Sequence, residues 1–118
     1  MKSNPFRVGN LVNVNGKLLP VAMVDHNSVT VYDDGVGKLF PISEDIFIEL
    51  TPEILPIFGF KASYDNFYED EEMILRINLK EESLMACGDW LPAEFPKYAH
   101  NLQNLYFELT HKELPINI

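Results

Sequence analysis

This 118-residue chain lacks the features that mark a disulfide-stabilised or membrane-spanning protein. Its single cysteine, Cys87, excludes a disulfide within the chain. No apolar run approaches the ~20 residues that a helix needs to cross a bilayer. The first residues lead into strand-like sequence without the apolar segment of a signal peptide. We therefore expect a cytoplasmic protein that does not associate with a membrane.

Positive charge is also scarce, because 9 Lys and Arg stand against 18 Asp and Glu and give a net charge of −9. Residues 1–50 carry four basic and six acidic side chains, hence −2, and residues 51–118 carry five and twelve, hence −7. A field of this sign repels phosphate backbones. The composition therefore disfavours generic nucleic-acid binding, and it also favours solubility.

No catalytic or metal-binding motif is present in the sequence. The segment 35–38 has neither the spacing nor the following helix of a phosphate-binding loop. The three histidines and the acidic turns match no zinc pattern. Cys87 and His100 would make a nucleophile and a base, but no flanking signature supports them, and Cys87 lies in an apolar segment. We expect no cofactor, no metal and no enzymatic activity.

Residues 6–50 have the pattern of short antiparallel strands. Val12 and Val14 alternate with asparagines, and Asn15-Gly16 predicts a two-residue hairpin turn, since a type I′ turn needs positive φ at both positions. Such short, evenly spaced strands predict a small barrel or curled sheet. The opening segment 8–17 resembles that of SH3-like barrels.

Residues 51–118 predict a short helix, an antiparallel β-meander and a C-terminal helix. Thr51 suits an N-cap, and Gly59 suits the stop of the short helix. Strands are expected at 61–68, 73–79 and 84–91, with a solvated acidic turn at 69–72, and Trp90 is expected to cover a core edge. The buried strand face is predicted to carry Met73, Leu75, Ile77 and Leu79. The fold class is α+β, in one domain over 1–118 with subparts 6–50 and 51–118.

The segment 98–110 has a helical period. Its core-facing stripe is predicted to hold Tyr98, Ala99, Leu102, Leu105, Tyr106 and Leu109. The other side carries amides, histidines and one phenylalanine in place of the usual Lys and Glu. This composition indicates a second contact surface, made either with the N-terminal subpart or with a partner. The candidate interaction surface comprises His100, Gln103, Asn104, Phe107 and His111.

Two segments carry a resemblance to a known family. Residues 98–114 are similar to the signature Y-V-H-Q-L-Q-N-L-Y-F-A-L-T-G-x-E-L of small uncharacterised proteins from Bacteroidetes and their prophages. Residues 50–55 and 59–60 match the family's L-T-P-E-I-L and G-F in order and spacing, whereas Pro56 departs from it. The departures in the C-terminal segment are Ala99, Asn101, Glu108 and His111. The resemblance implies a fold and a phage or mobile-element setting, with no catalytic residues.

The leading hypothesis is a non-enzymatic accessory or protein-interaction protein of phage or mobile-element origin. The alternative is a nucleic-acid-associated module that uses the N-terminal barrel, with the acidic half facing away. A protein partner is expected, and the sequence leaves its identity and the oligomeric state open.

Overall fold

The computed structural model describes residues 4–63, 66–86, 89–91 and 94–118. The N-terminal part forms a four-stranded antiparallel sheet in the order β1-β2-β3-β4. Its strands are β1 (Leu11–Val14), β2 (Lys17–Val24), β3 (Ser28–Asp33) and β4 (Val36–Pro41). Asn15 and Gly16 join β1 to β2 with φ of 52° and 87°, so the predicted hairpin turn is confirmed.

The four-stranded sheet is open, because β1 and β4 lie at its two edges and do not close into a barrel. A 3₁₀ turn at Glu44–Ile46 follows β4, and the Ser43 hydroxyl accepts a hydrogen bond from the Asp45 N–H at its start. One face of the sheet is apolar and buried. It holds Val12, Val14, Val21, Val29 and Val31, which pack with Phe6 and Ile46.

The predicted middle helix is a 3₁₀ helix at Leu55–Phe58 and not an α-helix. The Thr51 hydroxyl accepts the Ile54 N–H at 3.3 Å, and Gly59 ends the helix with φ of 83°. The predicted stop at Gly59 is confirmed, whereas the predicted N-cap at Thr51 is wrong, because the 3₁₀ helix begins only after Ile54. Pro56 lacks the N–H that a longer α-helix would need at this position, which explains the short helix.

A five-stranded antiparallel sheet in the order β5-β6-β7-β8-β9 follows. Its strands are β5 (Lys61–Ala62), β6 (Phe67–Glu69), β7 (Leu75–Asn78), β8 (Ser83–Ala86) and β9 (Asp89–Trp90). The single strands predicted at 61–68 and 84–91 are wrong, because the described residues of each stretch belong to two strands that pair with each other. Asn66 has a φ of 66° before β6, which is turn geometry that asparagine tolerates. Cys87 lies outside the described residues.

Helix α1 (Ala99–Thr110) joins both sheets to a shared core. Leu102 is buried there with Leu75 and Ile77, as predicted. Other residues that were predicted to face the core are less buried. Leu105 and Leu79 are half-buried, and three large apolar side chains are exposed. These are Met73, Trp90 and Leu109. Met73 stands in a turn before β7 with φ of 55°, and the buried strand face begins only after it.

The buried face of α1 is rotated toward its polar side. It comprises Ala99, His100, Leu102, Gln103 and Tyr106. The helix ends at His111, whose φ of 58° is the predicted left-handed conformation. No helix among the described residues is long and apolar enough to cross a membrane.

The acidic turn before β7 is not wholly solvated as predicted, because Asp70 is buried. Its carboxylate accepts the Leu75 N–H at 2.7 Å and the Tyr106 hydroxyl at 3.2 Å. Burial of the Tyr106 hydroxyl, with the Asp70 charge beside it, raises the pKa of Tyr106 to about 12. Asp70 therefore connects the second sheet to α1.

Candidate functional site

Gln103 on the polar side of α1 contacts the N-terminal part of the same chain. Its Oε1 accepts the backbone N–H of Leu11 at 2.8 Å, and its Nε2 donates to the carbonyl of Gly9 at 3.1 Å. One side-chain amide thus satisfies a donor and an acceptor at the start of β1. We call this contact between the polar side of α1 and residues 4–11 the helix–sheet junction.

Asn104, the next residue of α1, extends the helix–sheet junction. Its Oδ1 accepts from Arg7 Nε at 2.9 Å and from Asn10 Nδ2 at 3.0 Å, and its Nδ2 donates to the carbonyl of Pro5 at 3.1 Å. Both ends of the amide are therefore occupied within the chain. Asn104 holds the segment before β1 in place.

His100 lies in an aromatic cluster inside the helix–sheet junction and is only 2% exposed. Its ring centroid is 4.3 Å from that of Phe6 and 4.9 Å from that of Phe47, and its plane is nearly parallel to that of Tyr98 at 5.8 Å. Nδ1 has no hydrogen-bond partner among the described residues. Burial lowers the pKa of His100 to about 4, so the imidazole is neutral at pH 7.

Phe107 and His111 form the outer part of the predicted surface. The Arg7 guanidinium lies 4.4 Å from the Phe107 ring centroid, and the His111 ring meets Phe107 edge-on at 6.3 Å. Arg7 also pairs with Glu113 at 2.7 Å. Phe107 is half-buried under this cation, whereas His111 is exposed.

The structure therefore divides the predicted interaction surface. His100 and Gln103 are buried against Phe6 and Leu11, which is the first of the two predicted alternatives, a contact with the N-terminal part. Asn104 is half-buried and makes three side-chain hydrogen bonds within the chain. The sequence did not identify the receiving segment, because Pro5, Gly9 and Leu11 contribute mostly backbone groups, which carry no side-chain signal.

A cleft of about 570 Å³ lies beside the helix–sheet junction, at the start of α1. Its walls combine aromatic rings and side-chain amides with a single carboxylate. The lining residues include Asn4, Asn27, Ile42, Glu44, Phe47, Tyr98, His100 and Asn101. Asn4 is occupied, since its Nδ2 donates to the carbonyls of Asp25 and Ser28. Among the described residues, no three His, Cys, Asp or Glu side chains are grouped to hold a metal ion.

The opposite face of the N-terminal sheet carries three exposed apolar side chains on β2, β3 and β4. Met23 and Leu39 flank Thr30 in one cross-strand row, and Tyr32 lies one row further along β3. Met23 is 58% exposed, Leu39 67% and Tyr32 56%. We call these three residues the outer-face patch.

The Tyr32 ring lies over Gly37, its cross-strand neighbour in β4. A Cβ placed on Gly37 would stand 3.2 Å from Tyr32 Cε1. The missing side chain at Gly37 thus leaves room for the ring above the sheet. The sequence pattern did not reveal this patch. Val36 and Phe40 point to one face of β4 and Leu39 to the other, so the apolar residues do not indicate which face is buried.

The cations of the N-terminal sheet are engaged by carboxylates. Lys17 and Lys38 both bind Asp33, at 3.0 and 3.2 Å, and this raises the pKa of Lys17 and lowers that of Asp33, through these hydrogen bonds first. Arg7 is paired with Glu113. The described residues of this sheet therefore present no group of unpaired positive charges to a phosphate backbone.

Comparisons with family models, with curated protein sequences and with solved structures find no significant match to this chain. The outer-face patch has no cover within the described residues, whereas the helix–sheet junction is already filled by the chain.

Proposed function

We propose that this chain is a non-enzymatic accessory protein that binds another protein chain through the outer-face patch. The observation that carries the proposal is the alignment of Met23, Tyr32 and Leu39 on one sheet face, each more than half exposed. Exposed apolar residues are ordinary when scattered but indicate an interaction site when they are contiguous.

The residue types of the patch suit protein recognition. Tyrosine and methionine are enriched at protein interfaces, because they bury a large apolar area and adapt to a facing surface. Tyr32 lies beside Gly37, and its few rotatable bonds limit the side-chain entropy that is lost when the ring is covered. Both properties favour a protein partner over a small polar ligand.

The phage or mobile-element setting and the cytoplasmic location belong to the same proposal and derive from the sequence. So does a relationship to SH3-like barrels, for which the supporting feature is the 3₁₀ turn at Glu44–Ile46 after a four-stranded meander. The alternative of a nucleic-acid-associated module has no comparable support. Lys17 and Lys38 are paired with Asp33, and the net charge is −9.

The test is a pull-down that compares matched variants. Leu39→Glu places a charge in the patch, and Val8→Glu places the same charge at a residue that is 57% exposed but lies before β1. We expect a host protein that is retained by the wild type and by Val8→Glu but lost with Leu39→Glu, and that binds again when purified. Equal retention by both variants would refute the proposal.

A further inference from the structure

Strand β4 offers an open edge beside the outer-face patch. It is the last strand in the sheet order, and among the described residues only β3 pairs with it. The Ile42 N–H donates to the Asn27 carbonyl of the neighbouring strand end at 3.1 Å. Since backbone groups alternate in direction along a strand, those of Phe40 and Lys38 also point toward β3. Those of Gly37, Leu39 and Pro41 point outward.

We infer that this edge pairs with β4 of a second copy of the chain in antiparallel fashion, with Leu39 opposite Leu39 of the other copy. The inference rests on the proposed function, because backbone pairing at this edge leaves the outer face uncovered and would place the outer-face patches of two copies side by side for the host protein. In this register, each Leu39 N–H donates to the other Leu39 carbonyl. Each Gly37 N–H donates to the carbonyl of Pro41 in the other copy. Pro41 lacks an N–H but needs to supply only an acceptor.

Charge selects this register over the neighbouring one. A displacement by two residues would pair Gly37 with Leu39 and would place Lys38 directly opposite Lys38 of the second copy. Like charges in directly opposite positions destabilise a strand pair. With Leu39 at the twofold axis, Lys38 faces Phe40 of the other copy instead. Each Lys38 keeps its own carboxylate partner, Asp33.

The apolar row and the charge distribution favour a second copy as the occupant. Pairing at Leu39 continues the row of Met23, Thr30 and Leu39 across the twofold axis into the same row of the other copy. A twofold contact needs such a self-complementary surface. Pairing of the two β4 strands also brings together the less acidic part of each chain, since residues 1–50 carry a net charge of −2 and residues 51–118 a net charge of −7. Repulsion between two acidic chains is therefore lower at this edge.

Single-cysteine cross-linking tests the register directly. In a Cys87→Ser background, Leu39→Cys would place two cysteines at a hydrogen-bonded antiparallel pair, with Cα atoms about 5.5 Å apart, a separation that a disulfide spans. We expect mild oxidation to give a covalent dimer with Leu39→Cys and none with Lys38→Cys or Val8→Cys. Cross-linking of Lys38→Cys alone would overturn the register, and cross-linking of none would overturn the self-pairing.

Sedimentation of the full chain over a concentration series provides a second readout. We expect a monomer–dimer equilibrium whose dissociation constant rises at least about tenfold in Leu39→Glu, as for a central interface residue, and is unchanged in Val8→Glu. A chain that is monomeric throughout, while Leu39→Glu still abolishes capture of a host protein, would refute self-pairing alone. If Leu39→Glu changes neither association nor capture, the proposed function fails as well.

Discussion

The two sides of helix α1 are held by different forces. The leucine side meets the second sheet through apolar packing, in which Leu102 lies with Leu75 and Ile77. The amide side meets the N-terminal part through hydrogen bonds that the Gln103 and Asn104 side chains both donate and accept. Neither side is completely buried, because Leu109 on the leucine side is exposed and Asn104 and Phe107 on the amide side are half-buried.

This comparison shows that hydropathy alone did not fix the orientation of the helix. The first strand needs partners for the N–H of Leu11 and the carbonyl of Gly9, and an unpaired buried backbone group is costly. A side-chain amide supplies both a donor and an acceptor, which a leucine cannot do. The helix therefore turns its amides inward, and the last leucine is left at the surface.

The largest expected effect lies on the leucine side. Leu102→Ala should lower the free energy of unfolding by about 2–5 kcal/mol, because the side chain is fully buried in the shared core. Leu109→Ala is the matched control on the same side and should cost less than about 1 kcal/mol, since Leu109 is exposed. Denaturant titration measures both, and equal losses would show that the helix is oriented differently.

His100 should make the amide side sensitive to acid. The pKa of His100 is about 4 in the folded protein and about 6.5 in the unfolded chain. Between these values the unfolded chain binds a proton that the folded protein does not, so the free energy of unfolding is highest above pH 6.5 and falls as the pH drops toward 4. A tenfold change in an acid dissociation constant corresponds to about 1.4 kcal/mol, so the loss by pH 4 should be roughly 3 kcal/mol.

Carboxylates titrate in the same range, so the measurement is a difference between two proteins. His100→Phe keeps a ring between Phe6 and Phe47 but removes the titration. The unfolding free energy of the wild type should fall more steeply than that of His100→Phe between pH 6.5 and pH 4. Parallel curves would mean that the imidazole is not buried in solution.

Gln103 tests the hydrogen bonds of the amide side. Gln103→Leu keeps the size of the side chain but leaves the Leu11 N–H and the Gly9 carbonyl without their partner, which should cost about 1–3 kcal/mol. Amide hydrogen exchange at Leu11 should accelerate. Glu108→Leu, an exposed change on the same helix, should stay within about 0.5 kcal/mol of the wild type. Tolerance of both substitutions would contradict the described contact.

Turns and helix ends were predicted from the sequence more accurately than the contacts between helices and strands. Local chemistry identified the Asn15-Gly16 turn, the stop at Gly59 and the helix end at His111, because each depends on a backbone conformation that neighbouring residues determine. The α+β class followed from the periods of the strands and the helix. Hairpins inside apparently continuous strands were missed, since residues 61–68 contain no Gly or Pro to mark the turn.

The candidate site depended on long-range contacts and was therefore predicted only in part. An unusual composition on one side of α1 correctly indicated a second contact surface. Nothing in the sequence indicated that residues 5–11 would occupy it, because the chain positions involved are about ninety residues apart and the contacts are mostly to backbone. The outer-face patch was missed because strand register, which places Met23 beside Thr30 and Leu39, is a tertiary property.

The smallest expected effect concerns Phe107, at the outer end of the amide side. Its ring is half-buried and carries the Arg7 guanidinium at 4.4 Å, so it is neither a core residue nor a free surface residue. A cation over an exposed ring contributes about 0.5–1 kcal/mol, and Phe107→Ala should lower stability by an amount of that order. Phe107→Leu keeps apolar cover under Arg7 but removes the aromatic face, so the difference between the two variants separates packing from the cation–π contact.

A loss above about 3 kcal/mol in Phe107→Ala would indicate full burial. If Phe107→Ala leaves stability unchanged but weakens binding of a partner, Phe107 belongs to a partner-binding surface.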